Sequence, residues 1–160
     1  MQIAIFTTGG TIDKVYFDAK GGFAVGAPMV RELLNHARLH EMPSVTELLR
    51  KDSLEITAAD RQLIHAAVSE CAAPRVLLTH GTDTMVETAK FLTTILDKTI
   101  VLTGALQPGR FSDSDAAFNL GLAFAAVQLC SVGVYVVANG AVFAADKVRK
   151  NLELNRFEPL

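Results

Sequence analysis

Apolar residues recur along this chain in two alternating patterns. Short, continuous apolar runs bounded by glycine or threonine predict buried parallel strands. They are Gln2–Thr8, Arg75–His80 (RVLLTH), Thr99–Thr103 (TIVLT) and Gly133–Ala138 (GVYVVA), with Ser44–Arg50 as a further strand. Between them lie stretches of helical spacing. Pro28–His40 carries Met29, Val30, Leu33, Leu34 and Ala37, with Pro28 suited to a first helical position. Thr57, with Asp60 three residues on, nears a capping-box pattern for a helix reaching about Cys71. Asp83–Leu96 and the alanine-rich Asp113–Leu129 predict two more helices. Lys14–Gly26, rich in glycine and mixed charge, reads as a loop. Asn139-Gly140 reads as a tight turn into Ala141–Phe143, a hairpin. After Ala144 the chain becomes charged and loses periodicity.

Strands alternating with helices imply an α/β fold. We expect a mostly parallel sheet with helices on both faces, flavodoxin- or Rossmann-like, and a small β-hairpin near the C-terminus. Ligands of such sheets bind outside the carboxyl ends of the strands, near a topological switch point. The residues that follow strands are Thr8-Gly9-Gly10-Thr11, Ser53, Gly81-Thr82-Asp83 and Gly104-Ala105. All four groups are therefore expected to face one crevice.

The length, 160 residues, fits one domain spanning 1–160, with no separate C-terminal domain. A net charge of −2 argues against a general electrostatic grip on nucleic acid or an anionic membrane. No apolar run reaches the roughly 18 residues needed to span a bilayer, and no signal-peptide pattern opens the chain, so a cytoplasmic location is expected. The two cysteines, Cys71 and Cys130, form no CxxC motif and are expected to be buried, reduced thiols.

The strand-end residues admit more than one role. Gly9-Gly10 allows unusual torsions and close approach of a ligand to the main chain, and Thr11 offers a hydroxyl at that turn. The same residues also suit a plain turn with a capping threonine. The turn is neither GxGxxG nor a phosphate loop. In HGTDTM, Thr82 and Asp83 could face a ligand, cap the next helix, or do both. Lys150 could be a base or a solvated lysine of a charged tail. His36 and His40 have a metal-compatible spacing but no third ligand, so no metal is expected. His80 could orient the following loop. Arg110 and Asp113–Asp115 could hold a subunit contact or the loop after Gly104.

Four motifs taken in order resemble the N-terminal domain of bacterial-type L-asparaginases: TTGGTID (Thr7–Asp13), HGTDTMVETA (His80–Ala89), VLTGALQP (Val101–Pro108) and FNLG (Phe118–Gly121). The resemblance runs through nearly the whole chain and is nearest to short, single-domain members. It implies hydrolysis of L-asparagine to L-aspartate and ammonia through a covalent acyl-enzyme, without metal or organic cofactor. By the same resemblance Thr11 is the nucleophile, and Thr82, Asp83 and Lys150 form a second catalytic group. Ser53 binds the substrate carboxylate, Asp83 grips the α-amino group, and Ala105 offers a backbone carbonyl near the amide nitrogen. Gly10 and Gly81 complete the substrate-binding set, and the Gly10 and Thr82 N–H groups are candidates for an oxyanion hole.

The chain departs from the longer enzymes at three places. Leu54 replaces a glutamine beside the carboxylate-binding serine. Phe23 replaces the mobile-loop tyrosine, for which Tyr16 is the substitute catalytic candidate. No further domain is expected to supply the acidic residue that the longer enzymes bring to a neighbouring site, with Glu153 or Glu158 as candidate replacements. These departures keep two alternatives open: an amidase for another β- or γ-amide such as glutamine, and a catalytically weak amino-acid-binding module. A homo-oligomer, dimer or tetramer, is expected.

Overall fold

The computed structural model describes residues 2–17 and 21–160. Its centre is a six-stranded sheet built from β1 (Ile3–Gly9), β4 (Ser44–Lys51), β5 (Arg75–Thr79), β6 (Thr99–Thr103), β7 (Gly133–Ala138) and β8 (Ala141–Ala144). The order is β4-β1-β5-β6-β7-β8. The first five strands are parallel, and β8 pairs antiparallel to β7. This is the mixed, mostly parallel sheet expected from the alternating pattern.

Alternate side chains of the strands reach opposite faces. Ala4, Phe6, Val76, Leu78, Ile100, Leu102 and Val136 pack with Ile64, Val68, Met85, Ala89 and Leu92 from α2 (Ala58–Glu70) and α3 (Met85–Leu92). Ile3, Ile5, Leu77, Val101 and Val137 pack with Val30 and Leu34 of α1 (Val30–His36) and with Leu120, Ala123 and Val127 of α4 (Ala116–Leu129). Covering on both faces explains why the central strands are continuously apolar.

The helices are shorter than their apolar periodicity. Arg38 adopts φ 51° and stops α1 well before His40. The Thr93 and Thr94 hydroxyls donate to the carbonyls of Lys90 and Phe91, which ends α3 before Leu96. At the start of α4, Ser114 Oγ accepts from the Ala116 N–H, so Asp113 stays outside the helix. The N-terminus of α2 is as expected: Thr57 and Asp60 form a reciprocal capping box.

Two regions differ from their sequence reading. Residues within Lys14–Gly26 form an antiparallel hairpin, β2 (Lys14–Phe17) and β3 (Gly22–Val25), instead of a loop. Cross-strand pairing and the aromatic pair Tyr16–Phe23 outweigh the glycine-rich composition. Asp18–Lys20 of that expected loop lie outside the described residues. The charged stretch after Ala144 forms a second hairpin, β9 (Val148–Asn151) and β10 (Arg156–Pro159), anchored by buried Val148 and Phe157. The β7–β8 hairpin turns as expected, with Asn139 and Gly140 at φ 53° and 77°, the signature of a type I′ turn. Cys71 and Cys130 are free and half-buried, not buried.

Candidate active site

The chain leaves β1 for β4 on one side, then returns past β1 to place β5 on the other. The switch point therefore lies between β1 and β5, where α/β sheets bind ligands. The two loops at this point are Gly9-Gly10-Thr11 and His80-Gly81-Thr82-Asp83.

The β1 loop is shaped by glycine. Gly10 has φ 86° and ψ −172°, a conformation essentially confined to glycine. A Cβ on Gly10 would lie 2.4 Å from the Cα of Gly81, so the two loops touch through backbone. A Cβ on Gly81 would in turn meet the Cβ of Ser53 at 2.6 Å. Glycine at both places lets Thr11, Ser53 and Thr82 approach one another. The Gly10 N–H donates to Lys51 O at 2.9 Å. It is therefore occupied and differs from the oxyanion donor expected of it. Thr11 opens a short 3-10 turn through Asp13, is half-buried, and has no side-chain hydrogen-bond partner among the described residues.

Thr82 lies in the turn before α3 and is 8% exposed. Lys150, delivered by β9, donates from Nζ to Thr82 Oγ1 at 2.7 Å and also to Asp83 Oδ1. The lysine side chain is 7% exposed, while Asp83 is 42% exposed and opens to solvent. An ammonium only donates, so Thr82 Oγ1 is the acceptor in this bond. The hydroxyl proton of Thr82 is left to point elsewhere. Ser53, buried at the end of β4, is held by Thr84 Oγ1 donating to its carbonyl at 2.7 Å. Its own hydroxyl has no hydrogen-bond partner among the described residues. Leu54 beside it is exposed.

The loop after β6 is set by α4. Asp115 accepts from the N–H groups of Leu106 and Gln107, each at 3.0 Å, and from Asn119 Nδ2 at 2.8 Å. Asn119 Nδ2 also donates to Gly104 O at 3.0 Å. Between the two roles open for the Asp113–Asp115 segment, Asp115 holds this loop. Ala105 is buried against Ile12 and Ala116, next to the Thr11 turn. Tyr16 sits on the β2–β3 hairpin directly opposite Phe23, their ring centroids 5.4 Å apart. Phe23 also meets Phe111, 6.1 Å away. Tyr16 is half-exposed and makes no hydrogen bond to the residues around Thr82. Glu158 accepts from Arg149 and Asn151 within its own hairpin, and Glu153 is exposed in the turn. No group of three or more His, Cys, Asp or Glu side chains among the described residues is placed to hold a metal.

The model of the asparaginase N-terminal domain matches residues 2–157. The chain belongs to the asparaginase family. The glutaminase-asparaginase of Acinetobacter glutaminasificans is 31% identical, the match covering 96% of this chain and 51% of that protein. L-asparaginase 2 of Escherichia coli K12 is also 31% identical, over 93% and 46% of the two chains. Among solved structures, the thermostable L-asparaginase of Thermococcus kodakarensis superposes with a TM-score of 0.87 at 28% identity, covering all of this chain and 51% of its own. The chain thus spans about half the length of the relatives it matches. Solved relatives include a probable cytoplasmic L-asparaginase from Campylobacter jejuni, and sequence relatives include a probable periplasmic one from Haemophilus influenzae. No helix among the described residues is long and apolar enough to cross a membrane.

Against the asparaginase expectations, the structure gathers Gly10, Ser53, Gly81, Thr82, Asp83 and Lys150 at one place, with Thr11 and Ala105 adjoining. It leaves Tyr16 on the neighbouring hairpin. Sequence reasoning passed over Asn119 as a loop-holding residue, although FNLG was visible. It also passed over Asp13.

Asp13 is 1% exposed. Its Oδ1 accepts from the Met29 N–H at 2.8 Å, while Oδ2 is buried without a partner. Burial raises its pKa to about 7; the charge of Glu47 adds to this, and the Met29 N–H, Arg110 and Arg50 oppose it. A raised native pKa stabilises the fold fully below about pH 4 and loses that contribution as pH rises through 7. Asp13→Asn keeps the Met29 contact without the titration. Urea unfolding at pH 4.5 and pH 8 should therefore show the wild type losing stability relative to Asp13→Asn by a few kcal/mol, at about 1.4 kcal/mol per pKa unit. A pH-independent difference between the two proteins would refute this.

Proposed function

We propose that this chain carries the amidohydrolase site of an L-asparaginase, converting L-asparagine and water to L-aspartate and ammonia. The observation that carries this reading is Lys150 donating to both Thr82 and Asp83 beside the Gly10–Gly81 contact that seats Thr11.

In the proposed reaction Thr11 Oγ1 attacks the side-chain amide carbon of asparagine. The hydroxyl proton passes, through the Tyr16 phenol of the adjoining hairpin, to the leaving nitrogen, which departs as ammonia. An ester on Thr11 remains. Water then adds to the ester carbon, its proton returns to Thr11 Oγ1, and aspartate leaves. Thr82, whose oxygen is engaged by Lys150, presents its own proton to the crevice and so serves as a donor at the amide or the water. Asp83, open on one side, receives the α-ammonium group. Ser53 takes the α-carboxylate through its free hydroxyl. The reaction as written needs no metal or organic cofactor.

Ammonia release from asparagine and glutamine tests the reading. Lys150→Met keeps the length of the stem but removes the donor to Thr82 and Asp83. It should lower kcat by about 10²- to 10³-fold, the range for loss of a preorganised electrostatic group. Wild-type kcat in Lys150→Met would remove Lys150 from the mechanism.

A second reading, a γ-amide such as glutamine as the preferred substrate, is favoured by the relatives named glutaminase-asparaginase and by the exposed apolar Leu54 beside Ser53. The ratio of kcat/KM for the two amides separates the readings. Binding of aspartate without turnover would instead indicate an amino-acid-binding module. We also propose a cytoplasmic homo-oligomer, dimer or tetramer. The exposed Tyr16, Phe17, Phe23 and Phe111 near the site support association, and sedimentation velocity tests it.

A further inference from the structure

His80 ends β5 immediately before the Gly81-Thr82 loop. It is fully buried, and burial lowers its pKa to about 4, which keeps the ring neutral. A neutral imidazole has one N–H and one lone pair, and its neighbours decide which nitrogen carries which. Nδ1 lies 2.7 Å from Gly81 O. A carbonyl only accepts, so Nδ1 carries the proton. Nε2 must then accept, and Thr88 Oγ1, 2.8 Å away on α3, donates to it. The Thr88 oxygen in turn accepts from Arg61 Nε at 3.2 Å. Arg61, itself buried, is fixed by donating from Nη1 to Ile56 O at 3.2 Å and by pairing through Nη2 with Glu87 at 2.9 Å. An obligate donor at one end and an obligate acceptor at the other leave one proton arrangement for the whole chain.

The endpoint of this chain is the Gly81–Thr82 peptide. The described residues contain no cis peptide bond. In a planar trans peptide the N–H points opposite to the C=O. With Gly81 O turned in to His80, the Thr82 N–H faces away from His80, and no described residue accepts from it. The Gly10 N–H, by contrast, is occupied by Lys51 O.

We propose that His80, in its Nδ1–H form, is a positioning residue that locks the Gly81–Thr82 peptide so that the Thr82 N–H is presented to the oxyanion of the reacting amide. This rests on the amidohydrolase reading above. His80 touches no reacting atom and acts only through the peptide it holds.

The test separates the two ring nitrogens. In His80→Asn the side-chain amide N–H can replace Nδ1–H at Gly81 O. In His80→Gln the longer amide reaches the Nε2 position, accepts from Thr88 and leaves Gly81 O unheld. We expect His80→Asn to retain kcat within about threefold. His80→Gln should lose about 10- to 100-fold in kcat with KM within about threefold. Equal losses in the two variants, or a loss confined to KM, would overturn the proposal.

Nitrogen-15 NMR of the wild-type ring at pH 7 provides a readout that does not depend on either variant folding. It should report the Nδ1–H tautomer, and Thr88→Val should keep it, because Gly81 O still only accepts. An Nε2–H tautomer in the wild type overturns the proposal outright. If wild type releases no ammonia from any amide, the proposed reaction fails. The Nδ1–H tautomer is then still observed if the hydrogen-bond chain is right, so the two failures are distinguishable.

Discussion

Thr11→Ala will abolish ammonia release from asparagine, lowering kcat by on the order of 10³-fold or more while leaving the melting temperature within a few degrees of wild type. The two halves of this expectation have separate causes. The Thr11 hydroxyl has no partner among the described residues, and the residue is only half-buried, so its removal orphans nothing and opens no core cavity. In the proposed reaction its value lies in chemistry alone, and loss of the proposed nucleophile is not offset by the remaining groups, which would act as a unit with it. Binding of aspartate should survive, because Ser53 and Asp83 are untouched. Calorimetry with aspartate beside the ammonia assay separates the effects. Retained turnover in Thr11→Ala would assign the nucleophile elsewhere.

Gly10→Ala should damage both the fold and the activity. The backbone at φ 86° and ψ −172° costs an alanine about 1–3 kcal/mol. The new methyl would also sit 2.4 Å from the Gly81 Cα and 2.5 Å from the Gly81 nitrogen, and neither is the end of a flexible chain. The loops must part, which separates Thr11 from Thr82. We expect a melting temperature lower by about 10 °C, from a total near 3 kcal/mol, and turnover below about 1% of wild type. Gly121→Ala is the matched control. Its added methyl meets nothing within 4 Å on α4, so it should be neutral or stabilise by about 0.5–1 kcal/mol. Equal melting temperatures for Gly10→Ala and wild type would contradict the close approach of the two loops.

Much of this site could be read before the fold was known, because its residues follow strands. A parallel sheet sends every strand end to one edge, so Gly10, Ser53, Gly81 and Ala105 could be placed together from the apolar runs alone. Lys150 could not be placed that way. It reaches Thr82 from β9, a hairpin whose strands, VRKN and RFEP, are too polar to show strand periodicity. That hairpin is held by Val148 and Phe157 and by long-range packing, which composition does not reveal. Lys14–Gly26 failed for a related reason: its pairing rests on the cross-strand rings of Tyr16 and Phe23, while glycine content suggested a loop. Asp13 was hidden in a motif read for its threonine. Its burial follows from the Met29 segment folding over it, sixteen residues away.

The lysine of the site enters from the last tenth of the chain, 68 residues beyond the threonine it touches. The loops of β1 and β5 are fixed by the sheet, whereas the charge that engages Thr82 is fixed by the docking of the β9–β10 hairpin. Thr82 and Lys150 close a loop about as long as the one that pairs β1 with β5, where Thr8 meets Thr79 across 71 residues, so the ammonium contact and the sheet carry a similar closure entropy. During synthesis the two threonines emerge well before Lys150, and so do the core partners of Val148 and Phe157. The ammonium reaches Thr82 only once residues 148–159 have emerged and their hairpin has docked.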